Sequence, residues 1–513
     1  MAARRVVVVG AGVGGLAAAL DLAAQGLAVT VLERAAAAGG KLRTVEVDGA
    51  AIDAGPTVFT MRWVFDELYA AAGLDFAGAL PLEPVVTLAR HAWSDGARLD
   101  LHADLARSAD AIAAFAGPAE GRRFLEFARR ARGIYRTLEG PFLKASCASP
   151  LALARAVGVR GLGELWRITP FSSLWRALGR HFHDPRLRQL FARYATYCGS
   201  SPFEAPATLM LVAHVEQEGV WRVRGGMIRL AQALERAARS RGVQFRFGAE
   251  VAAIGARRGR ADGVRLASGE TLEADAVVVN ADCAALAAGC FGPEAARAVP
   301  AVRGATRSLS AITWMLQARA EGFPLEHHNV FFSRDYRREF DELRRRGQVP
   351  AEPTVYVCAQ DRGAGAAGAD GAPERLLCLI NAPANGDVHH YDAAEIRSCQ
   401  ARSFDLLQRC GLRLQTHDAW TRVATPTDFH RLFPASGGAL YGPASHGPMA
   451  SFRRAGARSR LPGLYLAGGS VHPGPGVPMA ALSGRLAAAS LAADLASTAG
   501  WHPAAMPGGT SMP

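Results

Sequence analysis

The first residues whose types and spacing could do chemistry are glycines and one acid near the start of the chain. Gly10, Gly12 and Gly15 follow a β-branched apolar run, an Ala/Leu-rich helical stretch comes next, and a second apolar run ends at Glu33. This order lets a pyrophosphate approach the backbone at the positive end of a helix, while the acid accepts hydrogen bonds from a ribose diol. The stretch predicts a dinucleotide site, which NAD, NADP or FAD could occupy.

A second glycine-rich unit lies near the other end of the chain. Residues 463–470 read as a strand ending in glycines, 471–479 as a Gly/Pro-rich loop and 480–496 as a helix. An NAD dehydrogenase usually holds its cofactor with one contiguous half of the chain. A ligand held between both chain ends therefore favours FAD.

Composition narrows the class of protein. The 513 residues are half apolar, which predicts a globular chain of two or three domains. The net charge is +12, and all but two of the 58 basic residues are arginine. No nucleic-acid module is visible, so the charge indicates either an anionic membrane surface or plain solvated arginines. The eight cysteines form no CxxC pair, which is typical of reduced thiols in the cytoplasm.

The elements between the two glycine units predict an α/β fold, in which a Rossmann-like domain is interleaved with a substrate domain of mixed sheet and helices. Three ranges are assigned to the nucleotide domain: 1–75, 221–300 and 415–497. Residues 76–220 are expected to be a helical segment, and 301–414 a second sheet. Residues 498–513 form a tail that is expected to be disordered.

One helical stretch, 151–180, interleaves arginines with Trp, Phe and Leu. Such a pattern suits an interfacial membrane helix, and equally a helix pair with arginines on its wet face. No run of about 20 apolar residues exists, so no membrane span is expected. His181, His183 and Asp184 could suggest a metal site, but such an isolated pattern is more often part of a surface or a core. The pairs at 327–328 and 389–390 lack the carboxylate and spacing of a metal site, so no metal is predicted.

Several short motifs extend the similarity beyond the glycines. They occupy positions 39–41, 53–57, 225–227, 280–282, 327–329, 441–442 and 472–474. With the opening glycines they resemble the carotenoid desaturases of the phytoene desaturase type, which belong to the amine-oxidase-like flavoproteins. The resemblance extends to about residue 496. Stretches 55–63 and 478–484 are most similar to the bacterial 1-hydroxycarotenoid 3,4-desaturases.

The resemblance implies an FAD-binding domain of the amine-oxidase-like type, a long linear carotenoid as substrate and peripheral attachment to a cytoplasmic or photosynthetic membrane. The electron acceptor is expected to be a quinone or oxygen, and the sequence does not distinguish the two. The residues expected to contact FAD lie in four parts of the chain. They are Gly10, Ala11, Gly12, Gly14, Gly15, Glu33, Arg34, Gly40, Lys41, Leu42, Arg43, Gly55, Pro56, Thr57, Val58, Val251, Gly468, Gly469, Val477, Pro478 and Met479.

Catalysis would remove a hydride to the flavin and a proton to a base, giving a C3–C4 double bond in a hydroxylated or methoxylated carotenoid. Glu164-x-x-Arg167 resembles the family's acid-x-x-Arg-x-x-Pro stretch, with Glu in place of Asp. Glu164 is expected to accept the proton and Arg167 to position it, although an i,i+3 pair is also common on helix surfaces. The alternatives are a phytoene desaturase, a carotenoid isomerase, a flavin amine oxidase and a prenyl-lipid carrier that binds without catalysis.

Overall fold

The computed structural model describes residues 4–146, 149–150, 153, 155, 171–299, 306–363 and 372–499. Its α-helices surround two main sheets. They are Val13–Ala24, Trp63–Ala71, Phe76–Ala79, Leu105–Ala116, Pro118–Leu138, Leu174–His181, Pro185–Ala192, Leu211–Glu218, Ile228–Ser240, Cys283–Ala287, Gly292–Ala298, Tyr336–Asp341, Ala393–Arg409, Pro426–Leu432 and Val477–Ala499. Short 3₁₀ turns occupy Arg193–Cys198, Ala207–Met210, Asp418–Trp420 and Ala450–Arg453, and wider turns occupy Glu139–Leu143 and Glu342–Arg346.

The nucleotide sheet has five parallel strands drawn from three distant parts of the chain. Their spatial order is Gln244–Phe247, Ala28–Glu33, Arg5–Val9, Ala276–Val279 and Leu464–Leu466. The two central strands are Val-rich runs that are buried on both faces, as parallel strands under helices must be. All five carboxyl ends reach one edge of the sheet, so the loops that follow the strands meet there.

The substrate sheet is larger and mostly antiparallel. Its order is Arg413–Gln415, Ser310–Glu321, Glu374–Ala382, Val355–Ala359, His328–Phe331, Thr87–Ala92 and Arg98–His102, and Thr421–Ala424 also pairs with Ser310–Glu321. Smaller sheets comprise Val251–Arg257 with Arg260–Leu266 and Thr271–Glu273, Thr44–Val47 with Ala50–Asp53, and Val220–Val223 between Phe59–Thr60 and Leu82–Pro84.

The structure differs from the sequence prediction in the range 76–220, which was expected to be helical. Thr87–Ala92 and Arg98–His102 are strands there, and Asn329 pairs in parallel with Arg90. The Ala/Arg content of this stretch suits a helix locally, but pairing with Arg98–His102 and with the distant strand His328–Phe331 decides its conformation. Residues 498–499 of the expected tail belong to the last helix, and the rest of the tail lies outside the described residues.

The first helix, Val13–Ala24, packs directly against the last helix, Val477–Ala499. A methyl group on Gly484 would lie 2.0 Å from the carbonyl oxygen of Gly14, far inside contact distance. Beside this crossing, Arg485 binds Asp21 at 3.2 Å and Glu67 at 3.0 Å. Glycine at these positions therefore sets how closely the two ends of the chain approach.

The Gly484→Ala variant is expected to lose about 2–3 kcal/mol of stability, because the added methyl group must push the two helices apart. The measurement is urea unfolding followed by tryptophan fluorescence. Gly133→Ala is the matched control, since Gly133 is also helical but has open space around its Cα. It is expected to gain up to about 1 kcal/mol. Equal unfolding midpoints for the two variants would show that the helix crossing is not tight.

Candidate active site

A cavity of about 1040 Å³ runs from the carboxyl edge of the nucleotide sheet to the substrate sheet. Glycine-rich loops line one end of it. Apolar side chains such as Val58, Leu209, Val212, Val330 and Leu377 line its continuation. The volume exceeds the usual size for a small ligand, and a predominantly apolar lining suits an extended hydrophobic molecule beside a polar one.

Asn280 lies where the two glycine loops meet. Its Nδ2 donates to the carbonyl oxygen of Gly10 at 3.3 Å. A methyl group on Gly12 would lie 2.8 Å from Asn280 Nδ2, and one on Gly14 would lie 2.7 Å from Asn280 Oδ1 and 2.9 Å from the Gly468 nitrogen. The glycines are thus needed for space, and they leave backbone N–H groups open toward the cavity at the start of the first helix.

Glu33 ends the second strand and lines the cavity, as expected for a ribose ligand. Its carboxylate accepts hydrogen bonds from the backbone nitrogens of Ala11 at 2.7 Å and Ala35 at 2.9 Å. These two bonds hold the carboxylate in one orientation at the mouth of the glycine loop. Val251, predicted to lie near the adenine, lines the same part of the cavity.

The basic side chains after the second strand contact the segment 429–440. Lys41 Nζ donates to the Leu440 carbonyl oxygen at 2.5 Å and lies 5.0 Å from the centre of the Phe433 ring. Arg43 lies over the Phe429 ring. Burial lowers the pKa of Lys41, although Asp282 raises it. Lys41 and Arg43 line the cavity, and their cations also hold its wall in place.

Two buried polar groups support the second glycine loop. The Arg454 guanidinium donates to the carbonyl oxygens of Tyr441, Pro443 and Gly469, so it holds three turns together. The Ser470 hydroxyl accepts from the Cys283 nitrogen at 3.1 Å. Neither contact follows from a recognisable sequence motif.

On the side of the substrate sheet, Thr57 and Tyr356 share a hydrogen bond of 2.7 Å between their hydroxyl groups. The Tyr356 hydroxyl also lies 2.7 Å from His328 Nδ1. Burial holds the pKa of His328 well below its usual range, so this imidazole is neutral. The predicted flavin loop 55–58 is therefore tied to the substrate sheet.

His327, His328 and Cys358 place their ligand atoms within 4.8 Å of one another. No metal was predicted at the histidine pair, and Cys358 could not be assigned to it from sequence. His327 Nδ1 lies 3.1 Å from the Arg362 carbonyl oxygen, and its Nε2 lies 3.7 Å from Cys358 Sγ. Both ring nitrogens of His327 therefore have partners within the protein.

The sequence did not reveal a buried polar cluster that also lines the cavity. Arg193 Nη2 donates to the Tyr197 hydroxyl at 2.9 Å, and Tyr197 donates to Glu216 Oε1 at 2.5 Å. Tyr194 donates to the other carboxylate oxygen of Glu216 at 2.6 Å. The spacing of Arg193, Tyr194 and Tyr197 is unremarkable on its own, and Glu216 is on a different helix.

Most of the predicted cofactor residues line the cavity. Those that do are Gly10, Gly12, Gly14, Glu33, Arg34, Gly40, Lys41, Leu42, Arg43, Gly55, Pro56, Thr57, Val58, Val251, Gly468, Gly469, Val477, Pro478 and Met479. Ala11 and Gly15 are buried in the loop and helix behind them. The predicted catalytic pair, Glu164 and Arg167, lies outside the described residues.

The residues present fit FAD. The glycine cradle excludes any Cβ where a pyrophosphate must approach, and Glu33 faces the cavity beside it. A second glycine loop closes the same space from the other end of the chain, and 55–58 and 477–479 line the cavity beyond the loops. A dinucleotide with a further ring system occupies such a site better than a single nucleotide.

Comparisons with known proteins agree with this arrangement. Residues 13–492 match the family of flavin containing amine oxidoreductases. The chain is 57% identical over 508 residues to a hydroxyneurosporene desaturase of Rubrivivax gelatinosus, covering 99% of this chain and 97% of that protein. It is 48% identical to a hydroxyneurosporene desaturase of Cereibacter sphaeroides, covering 96% and 98% of the two chains. A zeta-carotene-forming phytoene desaturase of Myxococcus xanthus is 32% identical, covering 94% and 93%.

Among solved structures, putrescine oxidase bound to putrescine has a TM-score of 0.58 and 17% identity, covering 96% of this chain and 99% of that chain. This likeness shows the fold alone. The family and the site together make FAD the cofactor and the protein an oxidoreductase. The chain belongs to the flavin containing amine oxidoreductases, among their carotenoid desaturases.

Proposed function

We propose that the protein introduces the C3–C4 double bond into a linear 1-hydroxylated carotenoid, in the formation of acyclic carotenoids. The observation that carries this proposal is the 57% identity to a hydroxyneurosporene desaturase over nearly the whole of both chains. The long cavity supports it, because its apolar lining suits a polyene beside the nucleotide site. The methoxylated relatives of that substrate fit the same description.

The protein binds and orients the substrate and excludes water from it. When bound, FAD supplies the acceptor for a hydride from the carotenoid. The apolar wall excludes water that would add to the cationic polyene left behind. That cation is delocalised over the conjugated chain, so few polar groups are needed to stabilise it. Loss of a proton from the neighbouring carbon completes the double bond, and Glu164, positioned by Arg167, remains the proposed acceptor.

We also propose that FAD is held by the two glycine loops. The N–H groups of the first loop would bind the pyrophosphate, and Glu33 would accept from the ribose. Gly55–Val58 and Val477–Met479 would lie against the flavin ring system. The electron acceptor that reoxidises the flavin would be a quinone or oxygen.

The mouth of the cavity supports peripheral membrane attachment on the cytoplasmic side. Phe171 and Met449 line the cavity, yet they are 72% and 41% exposed. Exposed arginines lie close to each in sequence, namely Arg176 and Arg453. An apolar rim flanked by cations suits the surface of an anionic membrane. Of the helices in the described part of the chain, none combines the length and hydropathy needed to cross a bilayer.

Gly12→Ala is expected to weaken FAD binding at least about tenfold, because the methyl group meets Asn280 and fills the pyrophosphate approach. The measurement is FAD titration into apoprotein, followed by flavin fluorescence. Gly133→Ala, far from the cradle in open space, is the control and should bind FAD as the wild type does. Unchanged affinity in Gly12→Ala would remove the first glycine loop from the cofactor site.

Phe171→Asp is expected to reduce partition onto anionic vesicles by about tenfold, because it removes an apolar contact and adds like charge. The measurement is sedimentation of the holoenzyme with phosphatidylcholine vesicles that contain phosphatidylglycerol. Val388→Asp is the control, since Val388 is 85% exposed but does not line the cavity. Equal losses in both variants would contradict a membrane contact at the cavity mouth.

Turnover tests the proposed function directly. Holoenzyme in liposomes, with a quinone or with oxygen, is expected to convert 1-hydroxyneurosporene into a product whose absorption lies at longer wavelength, since one double bond joins the conjugated system. Phytoene in parallel liposomes should remain unchanged. Product spectra and mass distinguish desaturation from isomerisation, which leaves the mass unaltered. Conversion of phytoene alone would overturn the assignment of substrate.

A further inference from the structure

One polar cluster lies at this mostly apolar cavity. It consists of Arg193, Tyr194, Tyr197 and Glu216. Arg193, Tyr197 and Glu216 line the cavity, whereas Tyr194 supports the carboxylate from behind. Arg193 is only 9% exposed and Glu216 only 6%. Placing two opposite charges in such surroundings costs free energy unless hydrogen bonds satisfy both groups.

One donor of this cluster has no partner. The Arg193 Nε is buried and makes no hydrogen bond within the described residues, although Nη2 of the same guanidinium reaches Tyr197. Burial lowers the pKa of Arg193, but the neighbouring Tyr197 and Glu216 raise it by more. The net pKa is therefore above its usual range, and the group stays cationic. Because Arg193 lines the cavity, its guanidinium can donate a hydrogen bond to an oxygen atom bound there.

The cluster lies beside the loop expected to meet the flavin. Tyr197, Tyr356 and Val58 pack against the same apolar core, and Tyr356 is hydrogen-bonded to Thr57. Thr57 belongs to the loop 55–58 that lines the same cavity. Arg193, Tyr197 and Glu216 therefore line the same cavity as the loop that is expected to meet the flavin.

We propose that this cluster binds the C1 hydroxyl group of the carotenoid end group. The inference rests on the proposed function, because a 3,4-desaturase reacts two bonds from the carbon that carries the hydroxyl. The oxygen must then lie within a few ångströms of the reacting carbons. A polar pocket beside the flavin loop is what such a substrate requires, whereas a wholly apolar carotene would leave it unsatisfied.

A hydroxyl group can use both charges of the cluster. The Arg193 guanidinium donates to the hydroxyl oxygen, and the hydroxyl donates in turn to Glu216 or to the oxygen of Tyr197. A methoxyl group accepts from Arg193 but has no proton to donate. An unsubstituted end group does neither, so it leaves buried polar groups without partners. Sites built to hydrogen-bond a hydroxyl strongly reject substrates that lack it. Arg193 and Glu216 therefore act as specificity-determining residues, and the hydride and the proton leave elsewhere.

The test compares two substrates that differ only at this oxygen, 1-hydroxyneurosporene and its 1-methoxy ether. Initial rates are measured with holoenzyme in liposomes, for the wild type, Glu216→Gln and Tyr197→Phe. The wild type is expected to prefer the hydroxylated substrate by about tenfold in kcat/KM. Both variants should reduce that preference at least about threefold, mainly by raising KM for the hydroxylated substrate, because they weaken its hydrogen bond.

Tyr391→Phe is the matched control, since it removes a hydroxyl from a buried tyrosine that does not line the cavity and donates to Asn385. It should keep the wild-type preference. Tyr197→Phe removes a single oxygen atom. It keeps the test decisive if Glu216→Gln fails to fold. An unchanged hydroxyl preference in Tyr197→Phe would overturn the inference. An equal fall in kcat for both substrates would also overturn it, since it indicates a role in proton transfer or folding.

The two substrates distinguish failure of the proposed function from failure of the hydroxyl site. A wild type that desaturates neither carotenoid would overturn the proposed function and the inference with it. A wild type that desaturates both with equal kcat/KM would leave the proposed function standing and overturn the hydroxyl site alone.

Discussion

The close contact between the first and last helices is the constraint on which the nucleotide site depends. Gly14 and Gly484 allow the helices to touch at the backbone, and a methyl group at Gly14 would also meet the nitrogen of Gly468. One crossing therefore sets the distance between the two glycine loops. Asn280, from a third part of the chain, fills the space that remains and bonds to the first loop. The cofactor site is thus a product of backbone proximity more than of side-chain chemistry.

Beyond the glycine loops, the low dielectric constant of the cavity determines how its polar side chains are arranged. Its wall is mostly apolar, so each polar group within it is held by specific partners. Lys41 is fixed to a carbonyl oxygen, and Glu216 is fixed by two tyrosine hydroxyls. Such groups cannot reorient to suit any ligand. These fixed polar groups therefore distinguish the places that can bind a polar group from the apolar remainder of the wall.

How far the sequence predicted this structure depends on the range of the interactions involved. The glycine loop with Glu33 was predictable, because a local pattern of turn, helix and strand determines it. The strand at Thr87–Ala92 was wrongly expected to be helical, because its conformation depends on a partner at His328–Phe331. The cluster of Arg193 and Glu216 was missed for the same reason. Its members are ordinary in sequence and acquire a role only when the turn Arg193–Cys198 packs against the helix Leu211–Glu218.

The parallel nucleotide sheet has a consequence for biosynthesis. Arg5–Val9 leaves the ribosome early, but one of its two neighbouring strands is Ala276–Val279, and Leu464–Leu466 follows near the end of the chain. Throughout the synthesis of the residues between, a Val-rich strand presents an open, apolar edge, which is the kind of surface that aggregates or recruits chaperones. The last helix then closes the first glycine loop. The first glycine loop therefore stays open until the segment 464–484 has been synthesised and has folded against it.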